Sequence, residues 1–380
     1  MKRSLLLINL LILILFLSGC TKQQNKIYDL NFSMYYNTVN NVKIIAASDS
    51  EAKLEEIYQG IDEILLRMDQ LFNIQVREEQ YKTELMIIND NAGVKPVQVS
   101  NEVITVVKKA LEIATISEVD NVALFDPTIA PVWDCWHFLD HYYSIYNPII
   151  SSVPENIGEY LPLVDYRKVM INEQEQTVFL EIKGMKLDLG GIVKGYVADC
   201  IRSYLKQEGF HNAVIDIGKN IILMGEYQGK GWKTSLQTPY IERYSTSQQE
   251  QMYYYGRLYL SDKTIVTSGV YEKYIMDENQ NEYHHILDPR TGFPIDNNVI
   301  SVSVITDSSI TADGYSTTLL AVGLEKGMEI VAKTTGLEAV YVVRNNDKYE
   351  VYISQGLQDQ FEFNENVMNI GYEYKGVFSE

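Results

Sequence analysis

Lys186-Leu187-Asp188-Leu189-Gly190-Gly191-Ile192-Val193-Lys194-Gly195 reads as a strand end, a glycine pair and a helix start. Downstream, Ile192/Val193, Tyr196/Val197, Cys200/Ile201 and Tyr204/Leu205 recur every four residues to about Lys206, and Gly209 supplies the stop. Bare backbone at a helix N-terminus offers free N–H groups and the positive end of a dipole. Both suit an anion such as a phosphate, and Lys194 adds a formal charge. The stretch is not a P-loop, because it lacks the Gly-Lys-Ser/Thr ending. A Gly-Gly turn into an amphipathic helix is structural more often than not, so its chemistry depends on the company it keeps.

Around this stretch, strands and helices mix without a βαβ rhythm. An alternating pattern from Met34 to Ala47 predicts an opening strand, and Ser48 with Glu51 makes a capping pair for a helix carrying Leu54, Ile57, Ile61, Leu65 and Met68 on one face. A second helix is expected from Ser100, with Val103, Val106, Val107, Ala110 and Ala114 inward. Residues 133–162 read as an aromatic loop, Val214 to Gly225 as a strand, and Tyr240 to Gln251 as a polar surface excursion. Helices near Ile310–Val322 and Glu325–Thr335 precede a hairpin, Ala339–Val343 and Tyr349–Ser354. The expected class is α+β: mixed or antiparallel sheets with flanking helices, in two closely packed lobes around a nucleotide cleft.

The chain has 380 residues and a formal net charge of −19. That length suits one large or two intimate domains. The acidity argues against nucleic acid, for which a basic stripe would be needed. At the N-terminus, Lys2 and Arg3 precede an apolar run, Leu5 to Leu17, that ends in Leu17-Ser18-Gly19-Cys20. This resembles a bacterial lipoprotein signal over residues 1–19, with cleavage before Cys20 and lipid on its thiol. Residues 20–29 then read as a tether and 30–380 as the working domain. The expected location is the extracytoplasmic face of the cell membrane, held by the lipid. Cys135 and Cys200 have no metal-ligand spacing and read as reduced thiols.

Three further clusters carry chemistry-bearing side chains. His284-His285-Ile286-Leu287-Asp288-Pro289-Arg290-Thr291-Gly292 joins two of only five histidines to a tight turn; it reads either as a proton acceptor near neutral pH beside an anion-holding Arg290, or as a polar turn with a structural Asp-Pro. In Ala312-Asp313-Gly314-Tyr315-Ser316-Thr317, Asp313 and Thr317 share one helix face. A carboxylate with a hydroxyl is a hard-oxygen pair fit for Mg²⁺ that keeps its waters and substrate oxygens, though taken alone the pair reads first as a helix-start acid and an i+4 hydroxyl bonding the backbone. Leu124-Phe125-Asp126-Pro127-Thr128 by itself says only "turn".

Taken in order, Asp-x-Gly-Gly-Ile-x-Lys-Gly, Thr267-Ser268-Gly269-Val270-Tyr271-Glu272, His-Ile-Leu-Asp-Pro-Arg-Thr-Gly and Ala-Asp-x-x-Ser-Thr closely resemble the ApbE-type family of FAD:protein FMN transferases. Phe125-Asp126-Pro127-Thr128, Val214-Ile215-Asp216-Ile217-Gly218 and the weaker Thr83-Glu84-Leu85…Asn89 match further blocks, so the resemblance runs from about Met34 to the C-terminus. It implies an enzyme that binds FAD as substrate with Mg²⁺ and moves FMN to a threonine hydroxyl of an acceptor, typically a membrane redox protein, releasing AMP. It implies FAD contacts at Met34, Leu124, Phe125, Asp126, Asp188, Lys194, His285 and Ile286. Gly191 would offer a carbonyl to the metal, Asp313 and Thr317 side-chain oxygens, and His285 would take the threonine proton. Two other activities stay open: FAD hydrolysis to FMN and AMP, and FAD binding without chemistry. The chain departs from the family where Lys219-Asn220 replace the usual Gly-Asp, and where Gly314-Tyr315 replace Ala-Leu.

Overall fold

Strands whose side chains are apolar on both faces must be covered on both faces, and this requirement sets the architecture. The computed structural model describes residues 25–32, 35–47, 51–74, 81–138, 153–241 and 246–379. Nine strands form one sheet: β1 (Asn25–Phe32), β2 (Asn40–Ala47), β3 (Ala213–Ile217), β4 (Asn220–Met224), β5 (Lys263–Gly269), β6 (Val299–Thr306), β7 (Glu338–Asn345), β8 (Lys348–Ile353) and β9 (Tyr372–Val377). Their order across the sheet follows the chain. Every neighbouring pair is antiparallel except the last, β8 with β9. The absence of a βαβ rhythm in the sequence is thus matched by a meander into which the helices are inserted, an α+β arrangement.

The long helices on one face are α1 (Glu51–Phe72), α2 (Asn101–Ile116), α3 (Val193–Gln207), α4 (Ser309–Val322) and α5 (Leu324–Lys333). Val302, Val304, Ala339 and Tyr341 of the sheet join Ile57, Ile61, Val107, Val197 and Leu319 in that core. The alternate residues Ile305, Val340, Val342 and Val351 point the other way, into a core closed by a small sheet of Trp232–Gln237, Tyr254–Leu260 and Phe361–Phe363. β6 is buried along its whole length as a result. A third cluster gathers Val132, Trp136, Phe138, Ile157, Ile275 and Leu287 beneath the turn that follows His284-His285.

α4 is the helix that positions the site, and it is buried on almost every side, between β5, β6, α3 and α2. Two glycines permit that depth. A Cβ on Gly195 of α3 would sit 2.2 Å from the Ser309 carbonyl oxygen, and one on Gly314 would sit 2.3 Å from Ile113 Cδ1 of α2. Gly314, which costs helix propensity, is therefore the residue that lets α2 and α4 touch. Asp199 of α3 completes the junction by accepting bonds from the backbone N–H groups of Ser309 and Ile310, both at 3.0 Å, at the start of α4. That carboxylate caps a neighbouring helix and complements its dipole.

Several expectations change. The residues read as a tether overlap β1, because Asn25–Asp29 pair with Lys43–Ala47 of β2. The opening strand is accordingly shorter, preceded by a turn at Tyr35–Asn37. Val214 to Gly225 is a hairpin, not one strand, since Gly218 and Lys219 both take positive φ and reverse the chain. The aromatic loop contains helices at Ala130–Cys135 and Ile157–Tyr160. The polar excursion contains Thr246–Met252, and it buries Tyr240 and Ile241. The signal segment, Cys20, Met34 and the Ser48 cap lie outside the described residues.

Candidate active site

The glycine pair sits where the sequence places it, and the surrounding loops fix its approach. Asn89 holds the preceding strand end by a two-way bond with Leu187, its Oδ1 accepting from Leu187 N at 2.7 Å and its Nδ2 donating to Leu187 O at 3.0 Å. Asp188 N donates to Pro127 O at 2.8 Å, tying this segment to the Asp126-Pro127 loop. Asp188 Oδ1 accepts from Gly190 N at 2.7 Å, which shapes the turn. α3 then starts at Val193 with no side-chain cap.

Here α3 and α4 meet. Asp313 Oδ2 accepts from Gly195 N at 2.9 Å and lies 3.8 Å from Lys194 Nζ. Lys194 Nζ also donates to Gly190 O at 2.8 Å. A Cβ on Gly191 would be 3.7 Å from Thr317 Oγ1 and 3.3 Å from Phe125 Cε2, so the glycine backbone, the Thr317 hydroxyl and the Phe125 ring share one pocket wall. Burial pushes the Asp313 carboxyl up, opposed by the Lys194 cation, the Gly195 N–H and the Asn220 side chain. The structure thus brings together Asp188, Gly191, Lys194, Asp313 and Thr317.

The donor set fits the implied Mg²⁺. It holds one carboxylate, a hydroxyl and a glycine backbone, all hard oxygens, and no cluster of three acidic or histidine side chains exists among the described residues. Such a set completes its coordination with water and phosphate oxygens rather than by a protein cage.

His285 lies close enough to the site for its ring to feel the Lys194 charge. Its backbone N–H and its ring Nδ1 both face the Lys273 carbonyl, at 3.2 and 3.1 Å. A carbonyl only accepts, so Nδ1 carries the proton and Nε2 keeps the lone pair. Burial, reinforced by the Lys273 cation and more weakly by His284 and Lys194, pulls the ring down to about 3. This corrects the expectation of a base poised near neutral pH: the ring is unprotonated across the physiological range because it is desolvated, with the Lys273 cation adding to the effect. His284 is spent on structure, Nε2 donating to Ile295 O at 2.9 Å and Nδ1 accepting from Ile286 N at 3.3 Å.

Other expected residues are placed differently. Asp126 is buried with its carboxylate turned inward: Oδ1 accepts from Thr128 N (2.8 Å) and Thr128 Oγ1 (2.6 Å), and Oδ2 from Tyr166 N (3.0 Å). Its side chain therefore holds the loop, and Phe125 is the member of that block that faces the glycines. Leu124 and Ile286 are core residues, and Ile286 has both backbone groups bonded. Arg290 does not present its guanidinium to a ligand. Its Nε and Nη2 clasp the Asp288 carboxylate at 2.6–3.0 Å.

Three residues of the site have no individual role in the sequence reading. Ser268 Oγ lies 2.8 Å from Ser316 Oγ and 3.3 Å from Thr317 Oγ1, fixing the threonine rotamer. Lys273 orients His285, and Asn220 faces Asp313. Ser268 sits inside a recognised block, Thr267 to Glu272, so a signal was present. Its role needed the pairing of β5 beside α4.

Residues 36–341 match the model of the ApbE family. The chain is 31% identical over 300 residues to an FAD:protein FMN transferase of Klebsiella pneumoniae, covering 79% of this chain and 85% of that protein. It is 28% identical to an FAD:protein FMN transferase of Vibrio cholerae, covering 91% and 96%. Among solved structures, the flavin transferase ApbE from Vibrio cholerae superposes with a TM-score of 0.73 at 26% identity, covering 89% of this chain and all of that one. An ApbE protein from Thermotoga maritima gives 0.67 at 25% identity, covering 92% and 100%.

Proposed function

The chain belongs to the ApbE family and is an FAD:protein FMN transferase, and from that premise we propose how its own residues carry out the transfer. The single observation that supports the reading best is the meeting of α3 and α4, where Asp313, Thr317, Gly191 and Lys194 converge within reach of one pyrophosphate.

In this reading an acceptor threonine hydroxyl attacks the FMN phosphorus of FAD, the bond to the bridging oxygen breaks, and AMP leaves with that oxygen. His285 Nε2 takes the hydroxyl proton, its ring held in the required tautomer by the Lys273 carbonyl. Lys194 neutralises developing phosphate charge and, through Gly190 O, keeps the glycine turn closed against the helix. Mg²⁺, when bound, supplies Lewis-acid charge neutralisation across the two phosphates. Asp313 and Thr317 would hold it, with Ser268 fixing the Thr317 hydroxyl. A positively charged wall also resolves the mismatch between an anionic substrate and a chain of net charge −19.

The site of action is the extracytoplasmic face of the cell membrane, with Cys20 as the lipid anchor and a membrane redox subunit as acceptor. The support is the Lys2-Arg3, apolar run and Leu17-Ser18-Gly19-Cys20 sequence, together with the family resemblance. Incubating the protein lacking residues 1–20 with FAD, Mg²⁺ and a threonine-bearing acceptor peptide should give a covalently fluorescent peptide and an equal amount of AMP. Intact FAD and no labelled peptide would sink the reading. AMP and free FMN without acceptor would assign hydrolysis instead.

A further inference from the structure

Asn220 is 1% exposed, and its Oδ1 has no hydrogen-bond partner. A buried amide oxygen without a partner is costly and is rarely left so without a reason. Its orientation is fixed by its neighbours. Asn220 opens β4, and Ile222 and Met224, two and four residues on, lie in the core shared with the helices. With the period of two along a strand, Asn220 points to the same face, towards α4. There its side chain faces the Asp313 carboxylate. A carboxylate that holds a cation only accepts, so Nδ2 is the group suited to Asp313, and Oδ1 is the buried group left without a partner. A helical hydroxyl in a similar position, such as Thr318 Oγ1, has its own helix carbonyls within one rotation. An amide held by Asp313 has no such escape.

We propose that Asn220 is a positioning residue of the cation site, its Oδ1 accepting a hydrogen bond from a water of the divalent cation held by Asp313 and Thr317. The inference rests on the cation reading given under the proposed function and adds a residue to it. The chemistry is specific. Waters on a hard cation are donors, so only an acceptor serves there. A neutral amide serves without adding a second buried carboxylate against Asp313. Orienting partners of this kind are typically worth about 10–100-fold in metal affinity.

The test is binding of Mn²⁺ alone, without FAD, to the full-length protein, read by the electron paramagnetic resonance signal of free Mn²⁺ and by the metal-induced rise in Tm. Asn220→Leu should bind Mn²⁺ about 10–100-fold more weakly. Asn220→Asp keeps the shape, so it guards against a variant that fails to fold. It places a second carboxylate against Asp313, so its Tm should fall below wild type in EDTA, and its rise with Mn²⁺ should exceed the wild-type rise. Equal affinity in Asn220→Leu, or an equal Mn²⁺-induced rise in Asn220→Asp, would overturn the assignment of Asn220. No Mn²⁺ binding by the wild type would overturn the cation reading itself, a separable result.

Discussion

Two buried carboxylates, Asp126 and Asp313, both come from blocks shared with the family, and burial pushes both up. Asp126 receives three donors, two from Thr128 in its own loop and one from the Tyr166 backbone, 40 residues on. The α3–α4 junction gives Asp313 the Gly195 N–H, the Asn220 amide and a lysine at 3.8 Å. The first set satisfies both carboxylate oxygens with protein donors and serves the fold. The second borrows from α3 and β4, stands beside the Thr317 hydroxyl, and leaves acceptor capacity directed at a ligand. Partner inventory, rather than burial or motif, separates a structural acid from a working one.

The sharpest way to break this contrast is to exchange the two effects. Asp313→Asn should lower FMN transfer by about 10³-fold, equivalent to roughly 4 kcal/mol of transition-state stabilisation. Its Tm should stay level or rise, because a desolvated charge is removed. Asp126→Ala strands three buried donors and should cost about 3 kcal/mol of folding stability, with KM for FAD rising more than kcat falls as Phe125 loses its support. Parallel urea melts and single-turnover assays check both. A Tm loss in Asp313→Asn as large as that in Asp126→Ala would erase the distinction.

The adjacent histidines repeat the contrast at smaller scale. His284→Gln should cost about 1–2 kcal/mol of stability, through the lost bond to Ile295 O, and change transfer little. His285→Gln should slow transfer by about 10²–10⁴-fold with the fold intact. The sign of the pH effect follows from the ring's value of about 3. The unfolded chain takes up a proton on this histidine below about pH 6.5 while the folded one does not until about 3. Its contribution therefore lowers stability as pH falls through that window and is absent above it. With five histidines in the chain, ring resonances are separable by NMR. The one lost in His285→Gln should not titrate between pH 8 and 5 in the free enzyme, and it should move upward when an anionic nucleotide neutralises Lys194 and Lys273.

How far the sequence carries this picture depends on the separation of the partners. Asp313 and Thr317 are four apart on a periodic helix, and Asp188 to Gly195 is one local turn, so both could be read directly. The helix expected from Ser100 starts there, with Ser100 Oγ accepting from Val103 N, whereas the cap that Thr83 gives to Met86 N was not read. Ser268, Lys273 and Asn220 belong to the site only because β4, β5 and the segment after β5 are neighbours of α4 or of His285. No local period encodes contacts over 49 or 12 residues, as between Ser268 and Thr317 or Lys273 and His285. The histidine's depression was hidden for the same reason: the burial that causes most of it, and the cations that add to it, come from elsewhere in the chain.

The smallest effect concerns the glycine that separates α4 from an ordinary helix. Gly314→Ala would gain about 0.5–1 kcal/mol of helix propensity on an exposed face. Here the new methyl meets Ile113 Cδ1 at 2.3 Å, and Ile113 is itself fully buried. Overpacking of that kind typically costs about 1–3 kcal/mol, so the net change should be a loss of about 1–2 kcal/mol. Pairing Gly314→Ala with Ile113→Val removes that Cδ1 and should recover most of the loss in a double-mutant cycle. Asp313 precedes this glycine directly, so a helix pushed outward by α2 also displaces its carboxylate from Gly195 N. Transfer should then fall in Gly314→Ala and return in the double variant. Full activity in the single variant would show that the Asp313–Gly195 contact tolerates movement of α4, and that the junction is less exacting than its packing suggests.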